Sequence, residues 1–380
     1  MKQIATWAFV LLIIGVITST AQEKVEFKTI DGIPHILNPA KPLKGTIKLE
    51  VERTRTINPY EQPDVGMKYI SFSRDEVGSV ILFDSNRAEG HRFGSEGEYL
   101  GLLTRQGQGP GEFSQMQGYR AYFADSGIWI FGGRKVAFLD RGGKFLREKK
   151  LNNSCESFVD SSRFLSRSSD WTEERVRIET VMLVLFSLDG EESAVELYRS
   201  TNVGMIRHPS GQGAFADQWG TPRIFVAADA ALKRVYCGLN TEYKIWIKDY
   251  SGKDLFVIQK DHKNVGASRA DVKRIMSWAI KDESSKWMLD AYPDRFVAVL
   301  KIAPLPNGYL AVFRVSGPEM FEIDVFSPKG EYLYALIPPP DVKMNSISFF
   351  STGFATVEEA EDYNVYREYR INNLPEIFDK

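Results

Sequence analysis

Arg105-Gln106-Gly107-Gln108-Gly109-Pro110-Gly111-Glu112-Phe113 is the stretch that decides how this chain is read. Three glycines and a proline in five consecutive positions suit neither a helix nor a strand interior. Glycine costs backbone entropy there, and proline has no N–H to donate. The backbone must turn tightly, and Phe113 can then drop back into a core as an anchor. A strand-like run, Tyr99 to Thr104, precedes the stretch, and a second strand-rich block opens near Tyr119. The stretch therefore reads as a joint between two β units.

Working outward, the unit recurs. Tyr69 to Phe72, Val80 to Phe83, Gly90 to Phe93 and Glu98 to Leu100 read as four short strands, with a turn at Gly94-Ser95-Glu96-Gly97. Gly127 to Phe131, Lys135 to Asp140 and Lys144 to Leu146 repeat the pattern around Arg141-Gly142-Gly143. Aligned on the turn glycine, the repeats sit at Gly97, Gly143, Gly190, Gly252 and Gly330, at intervals of 46, 47, 62 and 78 residues. The two longer intervals contain insertions. A period in the forties with four short strands per unit is the signature of a β-propeller blade. A sixth, degenerate unit fits Ser346 to Asn373 with three strands. Its missing fourth is expected at Thr46 to Thr54, where apolar and charged residues alternate with period two. That strand would close the ring between the two chain ends and remove both sheet edges. The expected fold is all-β, a six-bladed β-propeller; five or seven blades stay open. The expected organisation is 1–21, a signal peptide; 22–66, an N-terminal segment holding the ring-closing strand; and 67–380, the propeller.

One interruption is helical, between blades four and five. Ser268-Arg269-Ala270-Asp271 resembles a capping box, and Val272, Ile275, Met276, Ala279 and Ile280 follow on one face. Pro293 ends the segment.

Composition bounds the function. A net charge of −2 leaves no strong field for nucleic acid. Met1-Lys2-Gln3, the apolar run Ile4 to Ile17 and the small residues Ser19 and Ala21 read as an export signal cleaved before Gln22. The expectation is a periplasmic or extracellular monomer with no transmembrane helix after cleavage. Cys155 and Cys237 fall in different units, and nothing in their spacing argues for a bond, so two free thiols are favoured over a disulfide.

The repeats together with Gly107 to Phe113 resemble the six-bladed β-propeller proteins common in Bacteroidetes, relatives of NHL-repeat and TolB-like propellers. The resemblance covers about residues 67–373. It implies an exported propeller, and many members are lipoproteins; this chain has no cysteine at the cleavage position. Some six-bladed relatives are metal-dependent lactonases, which hold one ion with acidic and amide side chains from several blades.

Connections from the outer strand of one blade to the inner strand of the next share one face of a propeller. Three informative stretches are such connections: Gly107 to Phe113, Thr201 to Pro222 with its echo Gly211-Gln212-Gly213-Ala214-Phe215, and 262–293. The glycine motif and the helix are expected to flank the channel mouth from opposite sides. Candidate binding residues on this face are Arg105, Gln108, Glu112, Gln212, Trp278 and Trp287. The plainer readings are a structural turn for the glycine motif and core packing for the tryptophans. Catalytic signals are poor. His35, His91, His208 and His262 are scattered, with no His-Glu-x-x-His or Gly-x-Ser-x-Gly pattern, and no Gly-Lys-Ser/Thr that a P-loop needs. No catalytic or metal residue is assigned. A Ca²⁺ or other divalent ion would draw on Asp125, Asp229, Asn240 or Asn307, which are equally good turn residues. The expected function is a non-enzymatic binding or scaffold propeller recognising a protein or glycan partner; the alternative is a lactonase-like metal-dependent hydrolase or lyase at the channel mouth.

Overall fold

The computed structural model describes residues 24–61, 67, 70–114, 119–124, 126–172, 177–187, 190, 192–201, 204–208, 210, 214–277, 279–340, 347–360 and 363–373. Residues 1–21, expected to be a signal peptide, lie outside them, as do Asp125, Gln212 and Trp278. Six blade sheets, antiparallel except where two N-terminal strands are added, follow one another along the chain, with a separate two-stranded pair at Ile206–Arg207 and Ala214–Phe215. Their inner strands are Ile70–Arg74, Tyr119–Ala124, Cys155–Asp160, Ile224–Asp229, Val299–Pro304 and Ser348–Phe350. The sixth sheet packs back on the first strand of the first, closing the ring. The chain is thus a six-bladed propeller.

The second strand of a blade lies between two neighbouring blades, and in blades one and two both of its faces are buried. Val80–Asp84 and Gly127–Gly132 are buried at every residue. This is why their sequences run apolar without alternation. The outer strand Phe145–Lys150, FLREKK, is mostly exposed and charged, which discourages pairing with another edge. The core is a set of seams between blades. Phe113 is buried in the seam of blades one and two beside Ile81, Phe83, Tyr119 and Ile130.

The recurring glycine has one conformational reason. Gly97, Gly143, Gly252 and Gly330 take φ of +91, +91, +83 and +88°, where a side chain would be strained. Each donates its N–H to the carbonyl three residues back, at 2.8–3.0 Å. Asp140, Asp249 and Ser327 open three of these turns, and their side-chain oxygens accept the N–H four residues on. A bulge follows in each of these strand pairs.

The N-terminal segment departs from expectation. The predicted strand Thr46 to Thr54 divides in two. Thr46–Lys48 pairs parallel with the outer strand Tyr332–Ile337 of blade five. Val51–Ile57 pairs antiparallel with Tyr363–Ile371 and supplies the fourth strand of blade six. Upstream, Ile33–Asn38 adds parallel to Asp254–Lys260 of blade four, and Glu26–Ile30 turns back on it. The segment therefore threads along three blades. Asn38 fastens two of them: its Nδ2 donates to the Gly330 carbonyl at 2.8 Å, and its Oδ1 accepts the Tyr332 N–H at 2.7 Å.

The insertion holds helix α1 (Arg269–Ile275) and helix α2 (Trp287–Ala291). Ser268 caps α1 by accepting the Asp271 N–H. Val272 and Met276 are buried against Trp219, Tyr292, Phe296 and Val297. α1 stops at Ile275, one turn short of the predicted apolar stripe, because the chain tightens there to a turn capped at Met276. Among the described residues no helix is long and apolar enough to cross a membrane.

Cys155 and Cys237 are free and buried. Burial pushes the Cys155 thiol far up and the Cys237 thiol up to about 12. Neither is expected to react with a disulfide-exchange reagent in the native protein at neutral pH, while both react after denaturation in urea. Rapid titration of one thiol before unfolding would contradict this.

Candidate functional site

The meander of each blade sends the outer-to-inner connections and the turns between second and third strands to one face. The glycine motif meets such a turn in blade two: Lys135 lies against the Glu112 carbonyl. The helical insertion meets one in blade five, where Arg274 Nε lies 3.4 Å from Glu319. Blades two and five stand across the ring, so motif and helices share a face from opposite sides.

The motif, however, does not line the channel. Gly111 N–H donates to Glu148 on the outer strand of blade two, and a Cβ at Gly111 would meet the Phe145 ring at 2.7 Å. Glu112 folds into its own loop, accepting from Gly109 N–H at 2.8 Å and Arg105 Nε at 2.9 Å. The Gly109 N–H, then Arg105, hold its carboxyl below the ordinary value. Arg105 and Gln108 are exposed at this periphery. Trp287 is half-buried among the insertion's apolar residues, its ring 4.8 Å from His208 and edge-on. Of the candidates, only Arg105 and Glu112 are brought together, and their pairing serves the turn.

The channel mouth is built from other residues. Three of the inner strands Tyr119–Ala124, Cys155–Asp160 and Val299–Pro304 each carry one exposed residue: Arg120, Glu156 and Lys301. Ser348 is the exposed residue of the sixth. All four lie toward the connection face. Arg167 grips Glu156 with two bonds, Nε at 3.0 Å and Nη2 at 2.9 Å. Its Nη1 reaches the Ile224 carbonyl at 2.9 Å and Glu179 at 3.0 Å. Against the cost of burial, Glu156 and Glu179 keep the Arg167 guanidinium above its ordinary value. Beside this network a cleft of about 340 Å³ is lined by Glu156, Arg167, Arg177, Glu179 and Arg223. Trp171, 54% exposed, pairs directly across from Arg177, which lines the cleft.

Arg120 and Lys301 differ from Arg167. Arg120 Nη1 donates to the Tyr119 carbonyl at 2.7 Å, and Lys301 Nζ to the Ile347 carbonyl at 2.5 Å. Among the described residues neither forms an ion pair. Both reach solvent through the channel but are walled by protein elsewhere. Burial, then the charge of Arg120, lowers the Lys301 ammonium to about 8. Burial also lowers Arg120.

A larger cleft, about 880 Å³, opens on the other face between blades one and two. Its Arg74 is bound to Glu368 at 2.9 Å, and its Arg92 donates to the Arg141 carbonyl. The divalent-ion candidates do not converge. Asp229 accepts the Leu232 N–H, Asn240 bridges Arg223 and Thr221, and Asn307 sits at φ +59° in a turn. Among the described residues no group of three or more His, Cys, Asp and Glu side chains can hold a metal.

Solved structures share this architecture. A DUF4221 family member from Bacteroides vulgatus matches at TM-score 0.51 and 12% identity, over 86% of this chain and 99% of that one. The chain has the fold of the Bacteroides propellers. A protein from Bacteroides fragilis NCTC 9343, named as a candidate exported protein, matches at TM-score 0.47 and 11% identity, over 89% of this chain and all of that one. Virginiamycin B lyase from Staphylococcus aureus matches at TM-score 0.41 and 10% identity, over 85% of this chain and all of that one. At these identities the likeness concerns the fold alone. No family model matches the chain, and no curated protein matches it.

Arg120, Glu156, Arg167 and Lys301 escaped the sequence reading. The only local signal is a lone charge near the start of an inner strand, which any solvated strand end also shows.

Proposed function

We propose that the protein is an exported, non-enzymatic binding propeller, a distant relative of NHL-repeat and TolB-like propellers, that recognises a protein or glycan partner on its connection face. The observation that carries this reading is the mouth itself. Charged side chains from inner strands of blades two, three and five stand there, beside a cleft lined by Arg177, the cross-strand partner of Trp171. Met205 and Met320, 43 and 62% exposed, lie in connections and turns of the same face. An aromatic and arginines around a recessed charged centre are what recognition sites use. The hydrolase reading needs oxygen donors from several blades around one ion, and among the described residues no group of three or more His, Cys, Asp and Glu side chains supports it.

The test uses the mature protein, a Trp171→Ala/Arg177→Ala double variant, and a Val77→Ser variant on the opposite face. A glycan array and affinity capture with quantified affinity are read for all three. Loss of about tenfold or more in the double variant, with Val77→Ser unchanged, is expected. Binding that is indifferent to the double variant, or turnover of a bound lactone or ester, refutes the reading.

A further inference from the structure

Among the described residues, Arg120 and Lys301 of the channel pair with no carboxylate, whereas Arg167 and Arg177 of the same mouth do. Arg167 has Glu156 and Glu179, and Arg177 has Glu179 at 3.6 Å. Arg120 and Lys301 have backbone carbonyls only. They come from inner strands of blades two and five, which stand across the ring. Among the described residues, the carboxylate whose charge acts on Arg120 is Glu156, and Arg167 holds it bidentately. Its geometry is thereby fixed away from a second bidentate partner. Ser348, exposed at the same level on blade six, adds a hydroxyl donor.

Holding two like charges in an enclosed channel is unfavourable unless something compensates them. The fold holds them there nonetheless: neither binds a carboxylate among the described residues, and each could be replaced by an apolar residue of similar length. An arginine fork facing a lysine point charge is a donor set matched to a small oxyanion, with the fork on two oxygens and the ammonium on the third.

We propose that the Arg120–Lys301 end of the channel is an oxyanion site, taking a sulfate, phosphate or carboxylate group, either free or carried on a saccharide. This deepens the reading of the connection face as a binding face. It also rests on it, since a saccharide held at this point would extend past Glu156 into the cleft beside Trp171.

The test measures thermal unfolding and calorimetric binding with the full mature chain. Inorganic sulfate replaces chloride at constant ionic strength, so that general screening is held fixed. Glucuronate and a sulfated disaccharide are the second and third probes. The wild type is expected to show a rise in Tm with sulfate, as a ligand bound only by the folded state requires. Arg120→Gln and Lys301→Met are each expected to weaken binding by about tenfold or more, the loss of one charge-assisted contact. Arg199→Gln, an exposed cation paired with Glu196 on an outer strand, is the control and keeps wild-type binding. Without any anion, Lys301→Met should melt no lower than wild type, because the lysine's enclosed charge is uncompensated. That readout separates loss of a site from loss of folding. In the wild type, sulfate binding is also expected to fall as pH rises through about 8, where Lys301 gives up its proton, and this fall is absent in Lys301→Met. Arg120 is the charged group that acts on Lys301, and it stays protonated throughout.

Tighter binding of the disaccharide or of glucuronate than of sulfate places the oxyanion on a saccharide; equal or weaker binding marks a free anion. No Tm rise with any probe, or the same rise in the wild type and both channel variants, overturns the proposal. Partner capture lost in Trp171→Ala/Arg177→Ala but untouched in Arg120→Gln and Lys301→Met would leave the binding-face reading standing while the oxyanion site fails.

Discussion

Asp324→Ala is expected to lower stability by about 3–5 kcal/mol, read as a lower urea midpoint at unchanged m-value. Asp324 is wholly buried in the third strand of blade five. It accepts from Tyr243 Oη at 2.6 Å and Tyr332 Oη at 2.7 Å. It also pairs with Lys260 Nζ at 2.6 Å and Arg314 Nε at 3.0 Å. Lys260 belongs to blade four, so the carboxylate fastens two blades. Burial opposes its charge, but Lys260 and then Arg314 hold the carboxyl below its ordinary value. One anion shared by two cations leaves the weaker partner exposed to burial. The Lys260 ammonium is lowered to about 8, by burial first, while Asp324 pulls the other way. Deleting the carboxylate leaves the buried Lys260 ammonium and two buried hydroxyls without their acceptor, while Arg314 keeps Glu322. Adding Lys260→Met to the alanine variant removes the orphaned charge and is expected to recover part of the loss. A cost under about 1 kcal/mol, the value of an exposed ion pair, would show that the cluster contributes little to stability.

Acidification supplies the second large effect. His262 lies beside this cluster, its Nε2 buried without a partner and its ring edge-on to Tyr243 at 5.5 Å. Burial, then the charges of Arg314 and Lys260, lower it from 6.5 to about 4. The unfolded chain takes up this proton near 6.5 and the folded protein only near 4, so between those values the unfolded state binds more protons. Stability is therefore expected to fall by about 2–3 kcal/mol as pH drops through that window. Asp324, depressed below its ordinary value, contributes stability that is lost only at still lower pH, as its folded carboxylate protonates. Urea midpoints from pH 7 down to about 4 for the wild type and His262→Gln check this. The variant should lose most of the slope. His91 is also lowered, by burial, and accounts for a residual slope in the same direction. Equal slopes in both proteins would remove His262 from the account.

Much of the fold was legible because its cause is local. The turn glycines are set by a φ near +90°, which the chain cannot adopt cheaply with another residue. The Ser268 cap and the buried Val272 and Met276 follow from helix periodicity over a few residues. The anchoring of Phe113 follows from one tight turn.

The candidate site was legible only in its face. Topology alone sends the connections to one side, so motif and helices could be placed together there. Glu112 and Gln108 looked like site residues because they stand in a conspicuous loop, but that loop is attached to the outer strand of blade two through Glu148. The residues that do line the mouth stand in ordinary strands with no unusual neighbours.

By itself, then, the sequence determined the repeating unit, its turns and the capped helix, all of which arise from periodicity and backbone conformation within some fifty residues; six blades were the expectation, and the closed ring decided against five or seven. Tertiary structure alone decided the rest. The parallel pairings of Ile33–Asn38 with blade four and Thr46–Lys48 with blade five join segments far apart in the chain, and a short parallel strand has no local mark of its partner. The approach of Arg120 to Lys301, close enough for the arginine's charge to act on the lysine, is likewise set by closing the ring, which turns residues of several inner strands toward a common axis. Whether a charge on such a strand faces bulk water, a carboxylate or another cation is fixed only when the last blade is in place.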